Sequence, residues 1–312
     1  MPWPGGEYFL PLGFEAQPGH ISKMINLQDY IVKSTLFRTI EVDDLLLVEY
    51  KCLVEDHESD IWAHQDYFAY VLGGEKKWST PTNSVRVGSG DLLYVRKGAT
   101  TVYQYFDQPF FVIFLFISEE FIGHILRKYP HLVTSKRHLH LDNNHLLKVE
   151  LNSVLKSYFE TMKTFLTQSV PLRKEVLKLQ IEALLLDILT QPGNEFLKSH
   201  FIRHLEAGKV VVGEIMQANY MKPLAIKDYA RMCGRSLSSF RRDFVKTYHT
   251  PPGKWLLKKR LEHSRFLLDT TTDRISEILY SAGFNNRAHF NKAFKNAYGM
   301  APNNYRQQPV MP

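Results

Sequence analysis

Two periodicities divide the chain. Between Thr39 and Ile117 the apolar residues come in short runs rich in Val, Leu, Tyr and Phe: Leu45–Leu53, Tyr67–Leu72, Lys76–Ser79, Ser84–Val87, Leu92–Val95, Thr101–Phe106 and Phe110–Ile117. Runs of this kind, bounded by turn residues such as Gly73-Gly74 and Gly88-Ser89-Gly90-Asp91, predict strands. Many short strands at close spacing predict a double-sheet jelly roll or a small barrel. Residues 1 to about 35, ahead of them, hold Pro and Gly with few periodic apolar positions and read as an arm.

From Ser118 the period becomes helical. Ser118-Glu119-Glu120 supplies a cap and first-turn acids, both suited to a helix N-terminus, and Pro130 ends that helix. Leu147, Leu151, Val154, Leu155, Tyr158, Met162, Phe165 and Leu166 predict a long amphipathic helix. A second helix follows Pro171 and is closed by Gln191-Pro192-Gly193. It is apolar on more than one side, which predicts two packing partners, the sheets and a second subunit; an intramolecular hairpin is the alternative. His131, His138, His140 and His145 surround the intervening loop in a spacing that matches no zinc motif, and read as solvated or capping side chains.

The last third of the chain contains one unit twice. Ile226 and Gly234 are spaced as Ile275 and Gly283 are, and after one extra residue in the second turn the register is constant. Phe240, Phe244, Tyr248, Pro252 and Trp255 answer to Phe290, Phe294, Tyr298, Pro302 and Tyr305, an order that chance rarely repeats. Each copy reads as helix, tight turn, helix. Ile226, Tyr229, Ala230 and Cys233 fall on one apolar face, Gly234 stops the first helix and Ser236 caps the second. In the second copy Ile275, Ile278, Leu279 and Ala282 face inward, Gly283 turns, and Asn285 or Asn286 caps. This is the layout of a helix-turn-helix, whose second helix enters the major groove of DNA. Between the copies, Lys254 to Leu268 predicts a linker helix.

Charge sharpens that picture. From Lys209 onward there are 18 lysines and arginines against 7 acidic residues, net +11, while the whole chain is +7 and the remainder therefore −4. A basic terminal part on a mildly acidic body is the electrostatic footprint of a nucleic-acid binder. The outer faces of the second helices carry the candidate base readers, Ser238, Ser239, Arg241 and Arg242 in the first copy and Arg287, His289, Asn291 and Lys292 in the second. Arg235, Lys246, Lys254, Lys258, Lys259, Lys295 and Arg306 are the candidate phosphate contacts.

These residues resemble the DNA-binding domain of the AraC/XylS transcription regulators. The resemblance is carried by Ala230, Gly234, Ser236, Phe244, Pro252, the run Lys258-Lys259-Arg260-Leu261, Ile275, Ala282-Gly283-Phe284, Phe290, Phe294-Lys295, Gly299, Pro302 and Tyr305-Arg306. Leu279 departs from it, standing where the family usually has Ala, and implies slightly looser packing there. By the same resemblance Ser238 and Arg242 occupy base-contacting positions, and the helix pair before the basic part would serve dimerisation.

The strand-rich part is similar to the cupin-type sensor domain of many such regulators, through His64, Tyr67, Tyr70–Glu75 and Gly90–Gly98. Enzymatic cupins hold a metal with three His and a Glu. Here only His64 stands at a ligand position, with Asp66, Tyr70 and Thr101 at the others, too few donors for a transition metal. No metal and no cofactor is expected. Trp62, His64, Tyr67, Trp78, Arg96 and Tyr103 would line a ligand pocket; a packed barrel core is the other reading.

The chain is thus expected to be an α+β multidomain protein. Residues 1–118 would form a cupin-like β-barrel or jelly roll, 119–205 a helical dimerisation segment, and 206–312 an all-α double helix-turn-helix domain. Its expected partners are double-stranded DNA, a second copy, and a small-molecule effector or a partner protein. Cys52 and Cys233 lie in different parts and fit a reducing, cytoplasmic location. The longest apolar run, Phe110 to Ile117, is far short of the ~20 residues of a membrane span. Met1 to Phe9 has neither a basic nor an apolar signal region. A cupin enzyme is the rival from another class, and the missing ligands speak against it.

Overall fold

The computed structural model describes residues 24–52, 57–105, 109–133, 144–167, 173–206 and 212–307. Its N-terminal part is sheet-rich and its C-terminal part helical. Strands β1 (Ile25–Asn26), β4 (Glu58–Ala63), β9 (Gly98–Gln104), β6 (Glu75–Ser79) and β7 (Ser84–Gly88) lie side by side in a five-stranded sheet. A six-stranded sheet has the order β11 (Leu146–Val149), β8 (Leu92–Val95), β5 (Asp66–Gly73), β10 (Phe111–Ile117), β3 (Leu45–Lys51), β2 (Arg38–Val42).

Alternation of side chains along the strands builds the layers. Tyr67, Ala69 and Val71 of β5, Leu93 and Val95 of β8, and Val112, Phe114 and Phe116 of β10 face the five-stranded sheet, meeting Ala63, Trp78, Val87 and Val102. The intervening residues Phe68, Tyr70, Leu92, Tyr94, Ile113 and Leu115 face the other way. There they join a helical layer of α2 (Glu119–Lys128), α3 (Ser153–Thr167), α4 (Lys174–Thr190) and α5 (Glu195–Glu206). Strands buried on both faces read as near-continuous apolar runs, which is why Phe110–Ile117 shows no alternation in sequence.

Two expectations are corrected. The stripe from Leu147 to Leu166 is not one helix: Leu146–Val149 pairs with β8, and the helix starts only at Ser153. Asn152 marks the break, its Oδ1 accepting from Leu155 N at 2.9 Å. The N-terminal stretch is also more than an arm. Helix α1 (Leu27–Lys33) is capped by Asn26, whose side chain accepts from Asp29 N, and β1 pairs with β4. His138 and His140 lie outside the described residues.

The C-terminal part consists of α6 (Val212–Asn219), α7 (Ile226–Met232), α8 (Leu237–Tyr248), α9 (Pro252–Thr270), α10 (Ile275–Ser281), α11 (Arg287–Tyr298) and α12 (Pro302–Arg306). It has two cores. One holds α10, α11 and the end of α9 together. The other holds α6, α7 and α8 and includes Trp62 of β4 and Ala99 of β9, so the first motif is seated on the outer face of the five-stranded sheet. Ala99 and Trp62 point outward because Val102 and Ala63, an odd number of steps away on the same strands, point in.

Candidate nucleic-acid interface

The two motifs are built by the same local contacts. In the first, Asp228 Oδ2 accepts from Ala225 N at 2.9 Å at the start of α7. Gly234 takes φ +62° in the turn, Arg235 N bonds back to Ala230 O at 3.0 Å, and Ser236 Oγ caps α8 through Ser239 N at 3.3 Å. In the second, Glu277 Oε2 accepts from Arg274 N at 2.8 Å. Gly283 turns at φ +84°, Phe284 N bonds back to Leu279 O at 3.0 Å, and Asn286 caps α11 through His289 N at 2.9 Å. Phe240 and Phe244 in one and Phe290 and Phe294 in the other are wholly buried. Tyr248 stacks on Phe244 with centroids 4.6 Å apart, as Tyr298 lies 4.6 Å from Phe294. Leu279 is buried in the second core.

Burying one stripe of α8 and α11 leaves the opposite stripe outside. Ser238, Arg241, Arg242, Arg287, His289 and Lys292 are exposed, and Ser239 and Asn291 are half-buried at the edge of that face. Arg241, Arg242, Arg287 and Lys292 enter no ion pair among the described residues. Asp243, the nearest acid on α8, is taken by Arg235, and Asp228 is engaged at the start of α7. The cations on the outer stripes are therefore free to meet a polyanion.

Not all candidate phosphate contacts share that freedom. Lys246, Lys254, Lys258 and Lys295 are exposed, and Lys259 is half-buried over the Trp255 ring at 5.8 Å. Lys258 and Lys259 approach Glu262 loosely, at 3.8 and 3.5 Å. Arg235 has a largely covered side chain paired with Asp243, and Arg306 points inward to donate from Nη1 to Asp273 O at 2.5 Å. These two hold the turn before α8 and the loop before α10. Sequence position alone does not distinguish a basic residue at a helix end that is exposed from one that closes a loop.

Between the sheet and the first motif lies a polar seam that the sequence did not reveal. Arg231, at the end of α7, makes two bonds of 2.7 Å to the carboxylate of Asp29 on α1 and lies over the Trp62 ring at 5.4 Å. Its hydrogen bond holds the Asp29 carboxyl below the usual range. His64 Nδ1 is 3.5 Å from Arg231 Nη2 and 3.4 Å from Asn26 Nδ2. Burial first, and then the Arg231 charge, push the His64 imidazole down to about 4. Lys222 Nζ donates to Asp60 Oδ1 and to Thr101 Oγ1, both at 3.0 Å. Asn219 Oδ1 accepts from Ala99 N at 2.8 Å. The contacts that cross the seam join α7 and the segment before it to residues far earlier in the chain, a separation that no local pattern records.

The six candidate pocket residues are not gathered into one site. Tyr67 and Trp78 lie between the two sheets, whereas Trp62 and His64 belong to the seam with α7. Tyr103 is on the outer face of β9 beneath Lys77. Arg96 sits beside His145, and the His145 carbonyl accepts from the Arg96 backbone N–H at 2.9 Å. Strand alternation and a strand change separate them. Between the sheets, Tyr67 is adjacent to Trp78 and Thr100, yet Tyr67 Oη and Trp78 Nε1 are buried without a hydrogen-bond partner of normal geometry. Lys76, also inside, donates to Cys52 Sγ at 2.9 Å, and burial lowers its pKa. No sequence signal marks Lys76, because a lysine is rarely buried. No group of three or more His, Cys, Asp or Glu among the described residues could hold a metal ion, and no described helix is long and apolar enough to cross a membrane.

Two helix-turn-helix units joined by one helix, each presenting unpaired cations on its second helix, are the layout of a DNA-binding protein. Comparison with known proteins agrees. Residues 229–308 match the family described as helix-turn-helix domain, and residues 66–200 the one described as ExsA N-terminal regulatory domain. The virulence regulon transcriptional activator VirF of Yersinia enterocolitica is 23% identical over 78% of this chain and 89% of its own. The transcriptional regulator ExsA of Pseudomonas aeruginosa is 22% identical over 76% of this chain and 84% of its own. The solved structure of ToxT from Vibrio cholerae covers 85% of this chain and 98% of its own at 13% identity, with a TM-score of 0.38. In both parts the chain resembles the AraC-type transcription regulators. It is a DNA-binding regulator, not an enzyme.

Proposed function

We propose that this regulator sets α8 and α11 into successive major grooves on one face of the duplex, under the control of its sheet-rich part. The observation that carries this reading is the repeated motif with free cations on both second helices. Arg242 and Arg287 are the principal base readers, with Ser238, Ser239, Arg241, His289, Asn291 and Lys292 beside them. Lys246, Lys254, Lys258, Lys259 and Lys295 meet phosphate. Helix α9 has 19 residues, about 28 Å at 1.5 Å per residue, which suits motifs one helical turn of DNA apart, about 34 Å.

In this reading residues 1–118 form a cupin-like sensor, 119–205 a dimerisation segment and 206–312 the DNA-binding domain, and the protein works in the cytoplasm. The unpartnered Tyr67 Oη and Trp78 Nε1 support a small effector with polar atoms lodged between the sheets. Helix α4 buries Leu177, Ile181, Leu184, Leu185 and Ile188 within the chain but exposes Val176 and Leu179, which supports pairing with a second copy. The test is selection of duplexes from randomised DNA by the purified chain. Enrichment of two short motifs with centres about 10 base pairs apart is expected; enrichment of a single motif, or none, overturns the two-groove reading.

A further inference from the structure

The connection from Asn219 to Leu224 is held by the sheet and by both motifs. Two of its side chains reach the sheet. Asn219 Oδ1 accepts from Ala99 N at 2.8 Å, and Lys222 Nζ reaches Asp60 Oδ1 at 3.0 Å. Its carbonyls are held by the helical part. Tyr229 Oη of α7 donates to Asn219 O at 2.9 Å. Arg260, in the middle of α9, donates from Nε to Tyr220 O at 2.8 Å and from Nη2 to Lys222 O at 2.6 Å and Leu224 O at 3.4 Å.

The second motif arrives at the same place. A Cβ built on Gly283, in the turn between α10 and α11, would lie 2.8 Å from the Met221 carbonyl carbon and oxygen and 2.9 Å from Arg260 Nε. Only glycine lets the turn approach so closely, and at φ +84° it takes that backbone shape without strain.

We propose that the Asn219–Leu224 connection is the joint that fixes the second motif relative to the first and transmits the state of the sheet-rich part to that spacing, with Arg260 as its positioning residue. The physical case is one of number and direction. The two motifs have separate apolar cores, so their mutual orientation rests on α9 and on this joint. A guanidinium offers five donors in a rigid fork, and here it gathers three carbonyls of one short loop, which fixes that loop against α9. The same loop residue, Lys222, presents its carbonyl to Arg260 and its ammonium to Asp60 and Thr101. A shift of β4 or β9 that moves Asp60 or Thr101 therefore pulls directly on the carbonyl that holds α9. The joint rests on the two-groove reading above, because it acts through the geometry of two motifs on one duplex.

The experiment uses the full chain and three duplexes: a site selected from randomised DNA by the wild type, and that site with either half scrambled. Binding is measured for wild type, Arg260→Gln, Arg260→Lys, Lys222→Met, Asp60→Asn and the Lys222→Met/Asp60→Asn double variant, with thermal melting as the check on folding. Arg260→Gln should lose about tenfold or more on the intact site, because two linked modules owe their joint affinity to effective concentration. On each half-scrambled site it should stay within about twofold of wild type, because each motif keeps its own fold. Arg260→Lys, which keeps the charge and loses the fork, should behave like Arg260→Gln. Lys222→Met and Asp60→Asn should change the ratio of intact-site to half-site affinity in the same direction, and the double variant should add little to Lys222→Met, since both break the Lys222–Asp60 pair. Equal losses on intact and scrambled sites for Arg260→Gln overturn the joint, as does an unmoved ratio in both Lys222→Met and Asp60→Asn. If the wild type itself binds the scrambled sites as well as the intact one, it is the two-groove reading that fails.

Discussion

Arg242 shows how a single side chain is assigned by what surrounds it. It lies one residue before Asp243, and pairing between neighbours would have removed it from the groove. Asp243 instead holds Arg235, and Arg242 remains exposed. Arginine can grip O6 and N7 of guanine with two bonds worth about 1–3 kcal/mol of discrimination. Arg242→Ala should therefore lose about ten- to a hundredfold on the true site and relax preference at one or two base pairs; selection with wild type and variant shows whether preference or only affinity changes. Lys259→Ala should weaken all duplexes alike and lower the salt slope by about one, since Lys259 rests over Trp255 at the flank of α9. Two histidines give a pH dependence. His64 and His145 are both pushed down to about 4 from an ordinary 6.5, by burial first and by the neighbouring Arg231 and Arg96 charges second. The unfolded chain then binds more protons than the folded one between those values, so stability rises with pH across that window and is lost as acid is added. The melting temperature should fall from about pH 7 to about pH 5, and less steeply in the His64→Gln/His145→Gln variant; parallel curves for the two proteins contradict the assignment. At this scale the exposure of the candidate readers was legible in the sequence, because helical periodicity tells inside from outside. Arg231 and Lys222 were not, because their partners Asp29 and Asp60 are distant in the chain.

The elements were legible wherever one signal sufficed. Both turn glycines, the Ser236 cap and the linker helix are where spacing places them, as are the strands with continuous apolar runs. Strand β4 carries no such signal, because it begins with the polar Glu58-Ser59-Asp60, of which Asp60 is held by Lys222. Strand β11 reads as helix because Leu147 and Leu151 happen to keep the helical interval. What holds that region is Asn194, wholly buried between α4 and α5. Its Oδ1 accepts from Glu150 N at 2.9 Å, and its Nδ2 donates to Glu150 O at 3.1 Å and Ile188 O at 3.2 Å. Asn194→Ala strands buried polar groups at about 1–3 kcal/mol each. Urea unfolding of the variant should show a loss of about 3 kcal/mol or more. A loss under about 1 kcal/mol would mean that water replaces the amide.

The whole molecule is a stack in which the six-stranded sheet lies between helices and the five-stranded sheet, and the first motif rests on the far face of the latter. No sequence pattern predicts which outer face receives α7, since the seam is made of single polar contacts and one outward-facing tryptophan. Exposed Val176 and Leu179 on α4 lead to an assembly prediction. The full chain should sediment as a dimer at micromolar concentration, and Leu179→Glu should shift it towards monomer. A wild type that is monomeric throughout that range contradicts the pairing. The central claim, a DNA reader driven by free cations on two motifs, is tested most directly by the affinity of the full chain for duplex DNA as salt is raised. The five lysines set against phosphate predict a log–log slope of about −4 to −5 or steeper; a folded protein whose affinity is flat with salt contradicts it.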